Sequence, residues 1–406
     1  CLAIGVPLVS RKPSKKAFYA REGLVTTALS WIVLSIVGAV PFVLSGAIPN
    51  PIDAFFETVS GFTTTGASIL SDVEALSHCM LIWRSFTHWI GGMGVLVFIL
   101  CLLPLTGGYH MNLMKAESPG PSVSKLVPKV QSTAKILYTI YIILTIVEII
   151  FLLIGKMPLF DTLCLSFGTA GTGGFGIKND SIASYSTYNQ VVITVFMILF
   201  GINFNAYYLL LTKKVMQAAK NEEVRYYLGI IGLAIVAIAI NTREMFTSFG
   251  RAFQQAAFQV GSIITTTGYA TTDFNVWPVF SKTILVILMF VGACAGSTGG
   301  GIKVSRLLIL CKSARKELQL YLHSNAVKKI KMDDKAIPHE VVRATNMFLF
   351  VYIMIFVTSL LIISLDNLDM VSNFTAIAAT LNNIGPGLGA VGPTGNFDTY
   401  SYISKA

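Results

Sequence analysis

The sequence has little charge for its length. Only 12% of its 406 residues are Asp, Glu, Lys or Arg, whereas 54% are hydrophobic. An average soluble domain carries about a quarter charged residues, so this composition excludes an ordinary water-soluble fold. Mean hydropathy is +0.69. The composition therefore predicts an all-α polytopic protein embedded in a lipid bilayer, because helices satisfy their own backbone groups where water is absent.

Cysteine is also scarce, and its spacing is uninformative. The six cysteines never form a C-x-x-C pair, and most lie in or beside apolar stretches. This argues against a disulfide framework and a structural metal site. The five histidines lack the spacing of metal ligands. Since we find neither a nucleophile with a base nor a metal cluster, the sequence does not favour an enzyme.

Long apolar stretches are abundant instead. A membrane-spanning helix needs about 20 apolar residues, and seven stretches approach or reach that length. They are Leu24–Leu44, Phe86–Leu105, Ile136–Gly155, Gln190–Leu211, Tyr226–Ile240, Thr283–Ile302 and Ala344–Leu365.

The formal net charge of +10 reflects an uneven distribution of Lys and Arg. Most of these residues fall in alternate connections, within 11–21, 115–135, 213–225 and 303–343. Cytoplasmic loops of membrane proteins carry such an excess. The charge therefore predicts topology and gives no reason to expect a nucleic-acid partner.

The remaining connections contain four similar loops. Each has a moderately apolar stretch too short to span a bilayer, followed by small residues around a glycine, which is typical of re-entrant loops. The loops are Asp53–Ser68, Asp161–Gly176, Ala252–Ala270 and Val371–Gly387. Their ends align as T-T-T-G-A, G-T-G-G-F, T-T-T-G-Y and N-N-I-G-P.

This self-similarity predicts four pseudo-repeats of helix, re-entrant pore loop and helix around a central pore. Residues 1–22 are expected to hold the end of an N-terminal helix and a cytoplasmic basic loop. Repeats 1 to 4 would occupy 23–113, 114–222, 223–335 and 336–406. The fourth repeat lacks a closing span, so we expect the sequence to be truncated at this end and, since it begins with Cys1, at the other.

The loop chemistry suits a dehydrated cation. Four loops on one axis can supply rings of backbone carbonyls that replace the water shell of an ion. Glycine can adopt backbone angles that turn successive carbonyls toward that axis. A short helix whose C-terminal end points into the pore would also favour a cation over an anion.

These loops carry a family resemblance, together with WIGGMG at 89–94 and GACAGSTGGGIKVSR at 292–306. The sequence resembles the Trk/Ktr/HKT superfamily of potassium transporters, and the TrkH family most. The resemblance implies potassium uptake at the inner (plasma) membrane through a pseudo-fourfold pore. It also implies a homodimer and a cytoplasmic nucleotide-binding regulatory subunit of the TrkA type, with potassium as the transported ion and no organic cofactor in this chain.

The resemblance also implies which residues form the selectivity filter and the gate. The selectivity filter, and with it the only metal (potassium) site, would fall on Thr64, Thr65, Gly66, Thr172, Gly173, Gly174, Thr266, Thr267, Gly268, Asn383, Ile384 and Gly385. An intramembrane gating loop would comprise Gly292, Ala293, Cys294, Ala295, Gly296, Ser297, Thr298, Gly299, Gly300 and Gly301. In the plant branch of the family, a serine at the position of Gly66 accompanies sodium transport, so glycine here favours potassium.

Alternative interpretations stay open. A sodium- or proton-coupled symporter, or a weakly selective pathway for monovalent cations, would use the same loops. Glu148 lies within an apolar stretch, and Arg84 lies near the start of one. An intramembrane charge is a default functional candidate, but we expect Glu148 to cap or pair near the headgroups and Arg84 to pair with an acid or snorkel. Gly171, Gly173 and Gly176 match G-x-G-x-x-G, but no preceding strand supports a dinucleotide site.

Overall fold

The computed structural model describes residues 20–94, 130–323 and 329–405. Within these ranges the protein is helical, as predicted, and its strands are limited to a two-residue antiparallel hairpin of β1 (Lys331–Met332) and β2 (Lys335–Ala336). The helices are α1 (Ala20–Leu44), α2 (Pro51–Phe62), α3 (His78–Gly92), α4 (Val130–Ile154), α5 (Leu159–Ala170), α6 (Thr187–Phe200), α7 (Phe204–Leu211), α8 (Val215–Ala219), α9 (Glu222–Asn241), α10 (Phe249–Ile264), α11 (Val279–Val291), α12 (Val304–Leu322), α13 (His339–Ile363), α14 (Met370–Leu381) and α15 (Tyr402–Lys405).

Four helices, α1, α4, α9 and α13, are long and apolar enough to cross a membrane. Their outward faces carry large apolar side chains without protein cover, such as Leu29, Ile143, Leu233 and Phe350. Exposing such faces to water would cost free energy, because apolar surface is poorly solvated. In a bilayer the same side chains contact lipid tails, which are equally apolar. The fold is therefore that of a multi-pass membrane protein.

Two predicted spans are broken. The stretch 190–211 divides into α6 and α7, which meet at 90°. The Asn203 side chain caps α7 by accepting from Asn205 N at 2.9 Å. The freed backbone groups are not left unpaired, because Gly201 O accepts from Cys294 N at 3.1 Å and Phe204 N donates to Gly296 O at 2.9 Å. Non-helical backbone at membrane depth needs such protein partners.

The second break lies in the predicted span 283–302. Helix α11 ends at Val291, and Gly292 has a positive φ of 69°. The chain then runs irregularly until α12 begins at Val304.

The predicted span 86–105 begins earlier than expected, since α3 starts at His78. Residues 95–105 lie outside the described residues.

Four short helices, α2, α5, α10 and α14, lie among the long helices. Each follows one of the four long helices and precedes one of the glycine-ended segments. Their starts are marked in the sequence: Asn50, Ser248 and Asp369 accept backbone N–H bonds at the beginnings of α2, α10 and α14. Such side-chain caps satisfy donors that the first helical turn leaves free.

Candidate functional site

The four short helices end in the same backbone motif. At the end of α2, Thr64 N donates to Gly61 O at 3.2 Å and Thr65 N donates to Ser60 O at 2.8 Å. This pair of bonds, with the intervening residue in a left-handed conformation, is a Schellman motif. The same two bonds recur at the ends of α5, α10 and α14, starting from Thr172 and Gly173, Thr266 and Thr267, and Asn383 and Ile384.

The residues at these left-handed positions are unusual. Thr64, Thr172 and Thr266 have φ of 58°, 54° and 60°, and Asn383 has φ of 58°. Glycine is the common residue there, and a β-branched side chain in this region is a genuine outlier. Local strain of about 1–3 kcal/mol persists only where the surrounding structure demands it, often at a functional site.

Two residues after each of these left-handed positions, the backbone again has a positive φ. The values are 75° at Gly66, 76° at Gly174, 86° at Gly268 and 91° at Gly385. In an extended chain successive carbonyls point to opposite sides. Here the residues before and after one central residue both have positive φ, so the carbonyls no longer alternate. A short segment can in this way direct several carbonyl oxygens toward one axis. We call 64–66, 172–174, 266–268 and 383–385 the filter segments.

The filter segments close into a ring in chain order. A Cβ added to Gly66 would lie 2.1 Å from Gly173 O, one on Gly174 would lie 1.8 Å from Thr267 O, and one on Gly268 would lie 2.0 Å from Ile384 O. The ring closes where a Cβ on Gly385 would lie 2.9 Å from Gly66 O and 3.2 Å from Thr65 O. The first three glycines thus make room for the central residue of the next segment, and Gly385 makes room for Gly66.

All four glycines also line one cavity of about 240 Å³. Its remaining lining includes Ser68, Arg84, Lys178 and Asn179. The structure therefore brings together the twelve residues that the sequence analysis assigned to a filter, with the glycines at a common opening.

A buried ion pair holds the ring from behind. Arg84 on α3 donates through Nε to Glu57 on α2 at 2.6 Å, and the two side chains are 4% and 0% exposed. Glu57 also accepts from Ser68 Oγ at 3.0 Å and Ile69 N at 3.1 Å. Arg84 in turn donates to Gly176 O at 2.9 Å. The pair thus ties the first pore loop to the chain that follows the second filter segment.

The segment Gly292–Gly301, which we call the intramembrane loop, lies against the bases of two filter segments. Gly300 N donates to the Thr266 hydroxyl at 2.6 Å, and Gly301 N donates to Asn382 O at 3.1 Å. A Cβ on Gly299 would lie 2.7 Å from Thr265 O, and one on Gly300 would lie 2.4 Å from Asn382 O. Glycines permit this close approach of one backbone to another.

Two buried charged residues fix the opposite side of this loop. Glu223, at the start of α9, accepts from Ala295 N at 2.6 Å, from Ser305 N at 3.1 Å and from the Asn203 amide at 3.3 Å. Lys303 is 1% exposed and donates to Gly299 O. Hydrogen bonds to charged groups are stronger than neutral ones, so these contacts hold the loop in one conformation.

The comparisons with known proteins agree over the full length. A family model described as TrkH, cation transport protein, matches residues 1–406. The Trk system potassium uptake protein TrkH of Salmonella typhimurium is 37% identical over 412 residues, covering 100% of this chain and 85% of the relative. TrkH of Vibrio parahaemolyticus is 38% identical over 389 residues, covering 93% of this chain and 79% of the relative.

The chain belongs to the TrkH family of cation transport proteins. The fold agrees with this assignment: the crystal structure of the potassium transporter TrkH from Vibrio parahaemolyticus matches with a TM-score of 0.87 at 33% identity, covering 100% of this chain and 84% of that chain. The family resemblance read from the four loops is thereby confirmed, and so is the all-α polytopic fold class.

The outer connections of this TrkH-family chain also contact one another. Asn179 donates to Asp72 Oδ1 at 2.8 Å, and its backbone N donates to Glu74 at 3.1 Å. The hydrogen bond from Asn179 is the main cause of a lowered pKa at Asp72. Asp72 therefore keeps its negative charge to lower pH than a free aspartate would, which favours cations near the cavity lined by Asn179.

Sequence reasoning missed several residues of this site in the TrkH-family chain. Glu57, His88 and Glu223 were not singled out, although each is buried and polar. Glu57 and His88 lie within or beside apolar stretches, where a polar residue is a signal in itself. Arg84 was expected to pair with an acid or to snorkel, and it pairs.

Glu148 differs from expectation. It is 0% exposed and not at a headgroup position open to solvent. Neither carboxyl oxygen makes a hydrogen bond of normal geometry within the described residues, although the Thr169 hydroxyl, which donates to Leu165 O at 2.9 Å, is close enough to influence it. Among the described residues, the expected capping or pairing partner of Glu148 is therefore not found, and its role stays a prediction.

Proposed function

We propose that this chain mediates potassium uptake across the plasma (inner) membrane, with the four filter segments as the selectivity filter. The observation that carries the proposal is the closed ring, in which each filter glycine accommodates a backbone oxygen of the next segment. Rings of backbone carbonyls are the means by which a pore replaces the hydration shell of an alkali cation. The relatives that match 93% to 100% of the chain are named potassium uptake proteins.

We propose further that the intramembrane loop is the gate and that its conformation in this structure is the closed one. The loop contacts the bases of the third and fourth filter segments through Thr266 and Asn382. An ion leaving the filter would meet this backbone before reaching the cytoplasm. Opening therefore requires that the loop part from the filter or from Glu223, which holds it on the other side.

The test is rubidium uptake into proteoliposomes that hold the intact protein, with potassium or sodium as competitor. Gly66→Ser introduces a Cβ about 2 Å from a carbonyl oxygen at a positive φ, and real atoms do not approach so closely. We expect uptake that potassium blocks better than sodium, and a loss of that preference or of uptake in Gly66→Ser.

The control is Gly229→Ser, because a Cβ on that α9 glycine meets nothing within 4 Å. It is expected to transport like the unaltered protein. Selective uptake that persists unchanged in Gly66→Ser would show that the filter segments are not the filter.

A proton-coupled symporter is the second candidate, and Glu148 favours it. A buried acid without a normal hydrogen bond is the kind of group that takes up and releases protons in transporters. Rubidium uptake driven by a proton gradient alone, or by a sodium gradient in the sodium-coupled form, would support symport. Uptake that follows only the rubidium gradient and the membrane potential would support a gated channel.

The assembly belongs to the same proposal. The relatives are named as parts of a Trk system, and the family resemblance implies a homodimer and a TrkA-type nucleotide-binding subunit on the cytoplasmic side. Two contacts link the start of α9 to neighbouring elements: Lys312 on α12 pairs with Glu222 at 2.5 Å, and Asp333 of the β1–β2 turn accepts from Glu222 N at 2.7 Å. A partner bound there would lie one residue from Glu223.

A further inference from the structure

The second filter segment lacks side chains that the first and third possess. In the first repeat, the hydroxyls of Thr63 and Thr65 lie 2.8 Å apart. In the third, the hydroxyls of Thr265 and Thr267 also lie 2.8 Å apart. These two positions flank the left-handed threonine, and each hydroxyl pair links the helix end to the central filter residue. In the fourth repeat, Asn382 and Ile384 occupy the same positions.

In the second repeat both positions are glycine, and residues of α3 occupy the space. A Cβ on Gly173 would lie 2.2 Å from His88 Nδ1 and 2.3 Å from His88 Cγ. A Cβ on Gly171 would lie 2.2 Å from His88 O and 3.2 Å from His88 Cβ. The imidazole therefore lies where a side chain of the central filter residue would otherwise be.

The imidazole is itself held in place. His88 is 0% exposed and stacks on Phe175 with 4.1 Å between ring centroids and 23° between planes. Phe175 follows directly after the second filter segment, and the Arg84 guanidinium lies 3.5 Å from the centre of its ring. Arg84 and His88 are one helical turn apart on α3 and share a face. Arg84 is fixed by Glu57, so the support is continuous from α2 to His88.

The position of Gly173 matters to the ring, because its carbonyl oxygen is the atom that a Cβ on Gly66 would meet at 2.1 Å. A second segment free to move would change the spacing between the first and second segments. Selectivity in such filters depends on the number and spacing of the carbonyl oxygens. A side chain that fixes Gly173 would therefore also affect which ion fits.

We propose that His88 is a specificity-determining positioning residue: its imidazole replaces the missing filter side chains of the second segment and thereby sets the discrimination between potassium and sodium. This rests on the proposed function of the filter segments. An imidazole that merely filled the core would affect stability without affecting the ratio of the two ions.

The test is a double-mutant cycle on rubidium uptake by the intact protein, with potassium and sodium as competitors. His88→Ala should leave the second filter segment loosely supported. The concentration of sodium that halves rubidium uptake, divided by the corresponding concentration of potassium, should then fall by about tenfold. Gly173→Thr should abolish uptake, because its side chain would occupy the space of the imidazole. The double variant His88→Ala/Gly173→Thr should regain uptake, since the threonine would then occupy the space that the imidazole leaves.

The matched control is His78→Ala. His78 is an exposed residue at the start of the same helix and contacts Phe160 instead of the filter. It is expected to keep the ion ratio of the unaltered protein. If His88→Ala fails to fold, His88→Thr replaces it in the test, because threonine retains a branched side chain next to Phe175. We expect the same change in the ion ratio, but a smaller one.

The outcomes separate the two proposals. Potassium-selective uptake that is unchanged in the His88 variants, or a double variant no better than Gly173→Thr alone, would overturn the role of His88 and leave the filter intact. An unaltered protein whose rubidium uptake does not distinguish potassium from sodium would overturn the filter itself.

Discussion

The filter segments and the intramembrane loop are both irregular backbone inside a helical membrane protein, but they are held in different ways. Each filter segment continues from its own helix through backbone bonds of a Schellman motif, repeated four times. The intramembrane loop does not continue from a helix through a Schellman motif. Besides bonds within the loop and from Lys303, its contacts come from α9, from the break between α6 and α7, and from the bases of two filter segments.

The difference bears on what each region can do. A segment fixed by local backbone bonds keeps its conformation when distant side chains move. This suits a site that must discriminate between ions of different size. A loop held by contacts to several separate elements can be released when one of those contacts is lost, which suits a gate. We expect substitutions around the filter to affect selectivity and stability, and substitutions around the loop to affect the rate of uptake.

The largest effect is expected where the filter depends on a side chain, at Arg84. Arg84→Met removes one partner of a buried ion pair and leaves Glu57 uncompensated, which typically costs about 3–5 kcal/mol. Arg243→Met is the matched control, because the Arg243–Glu244 pair is 64% and 84% exposed, and exposed pairs contribute about 0–1 kcal/mol. Thermal unfolding of the purified proteins measures the difference. Equal losses of stability in the two variants would show that Arg84 does not hold the ring.

A smaller effect is expected at the loop. Glu223→Gln keeps an acceptor for Ala295 N but replaces charge-assisted bonds with neutral ones, a loss of about 1–1.5 kcal/mol. This should increase rubidium uptake by the protein without any regulatory subunit by about tenfold.

Glu222→Gln is the comparison for this prediction. Glu222 is the neighbouring acid, but it pairs with Lys312 and not with the loop. If both variants raised uptake equally, Glu223 would have no special part in keeping the loop closed.

The smallest effect concerns the contact between the two regions. Thr266→Gly relieves a left-handed threonine and removes the hydroxyl that accepts from Gly300 N. Thr64→Gly relieves the same strain, but among the described residues the Thr64 hydroxyl donates to its neighbour, Thr63 O, and not to the intramembrane loop. Both changes loosen a filter segment alike. An increase of a few-fold in subunit-independent uptake, about 0.5–1 kcal/mol, is therefore expected in Thr266→Gly alone. The same rise in Thr64→Gly would argue that filter disorder, not loop release, is the cause.

The sequence by itself determined the class of protein and the position of the pore loops. Apolar length and the distribution of Lys and Arg identify a polytopic membrane protein because lipid tolerates few alternatives. The four glycines Gly66, Gly174, Gly268 and Gly385 were found because a required positive φ selects glycine locally. The assignment of these segments as a filter remains a prediction, as does the division into four repeats at the stated residues.

Only the tertiary structure decided which residues meet. Apolar composition could not show that the stretches 190–211 and 283–302 are broken, since each break is compensated by backbone partners in the other, more than 90 residues away along the chain. The same holds for His88 behind Gly173 and for Glu223 beneath Ala295. Local patterns follow from the conformational preferences of neighbouring residues. Buried polar contacts pair hydrogen-bonding groups that are distant in the sequence and meet only when the chain folds.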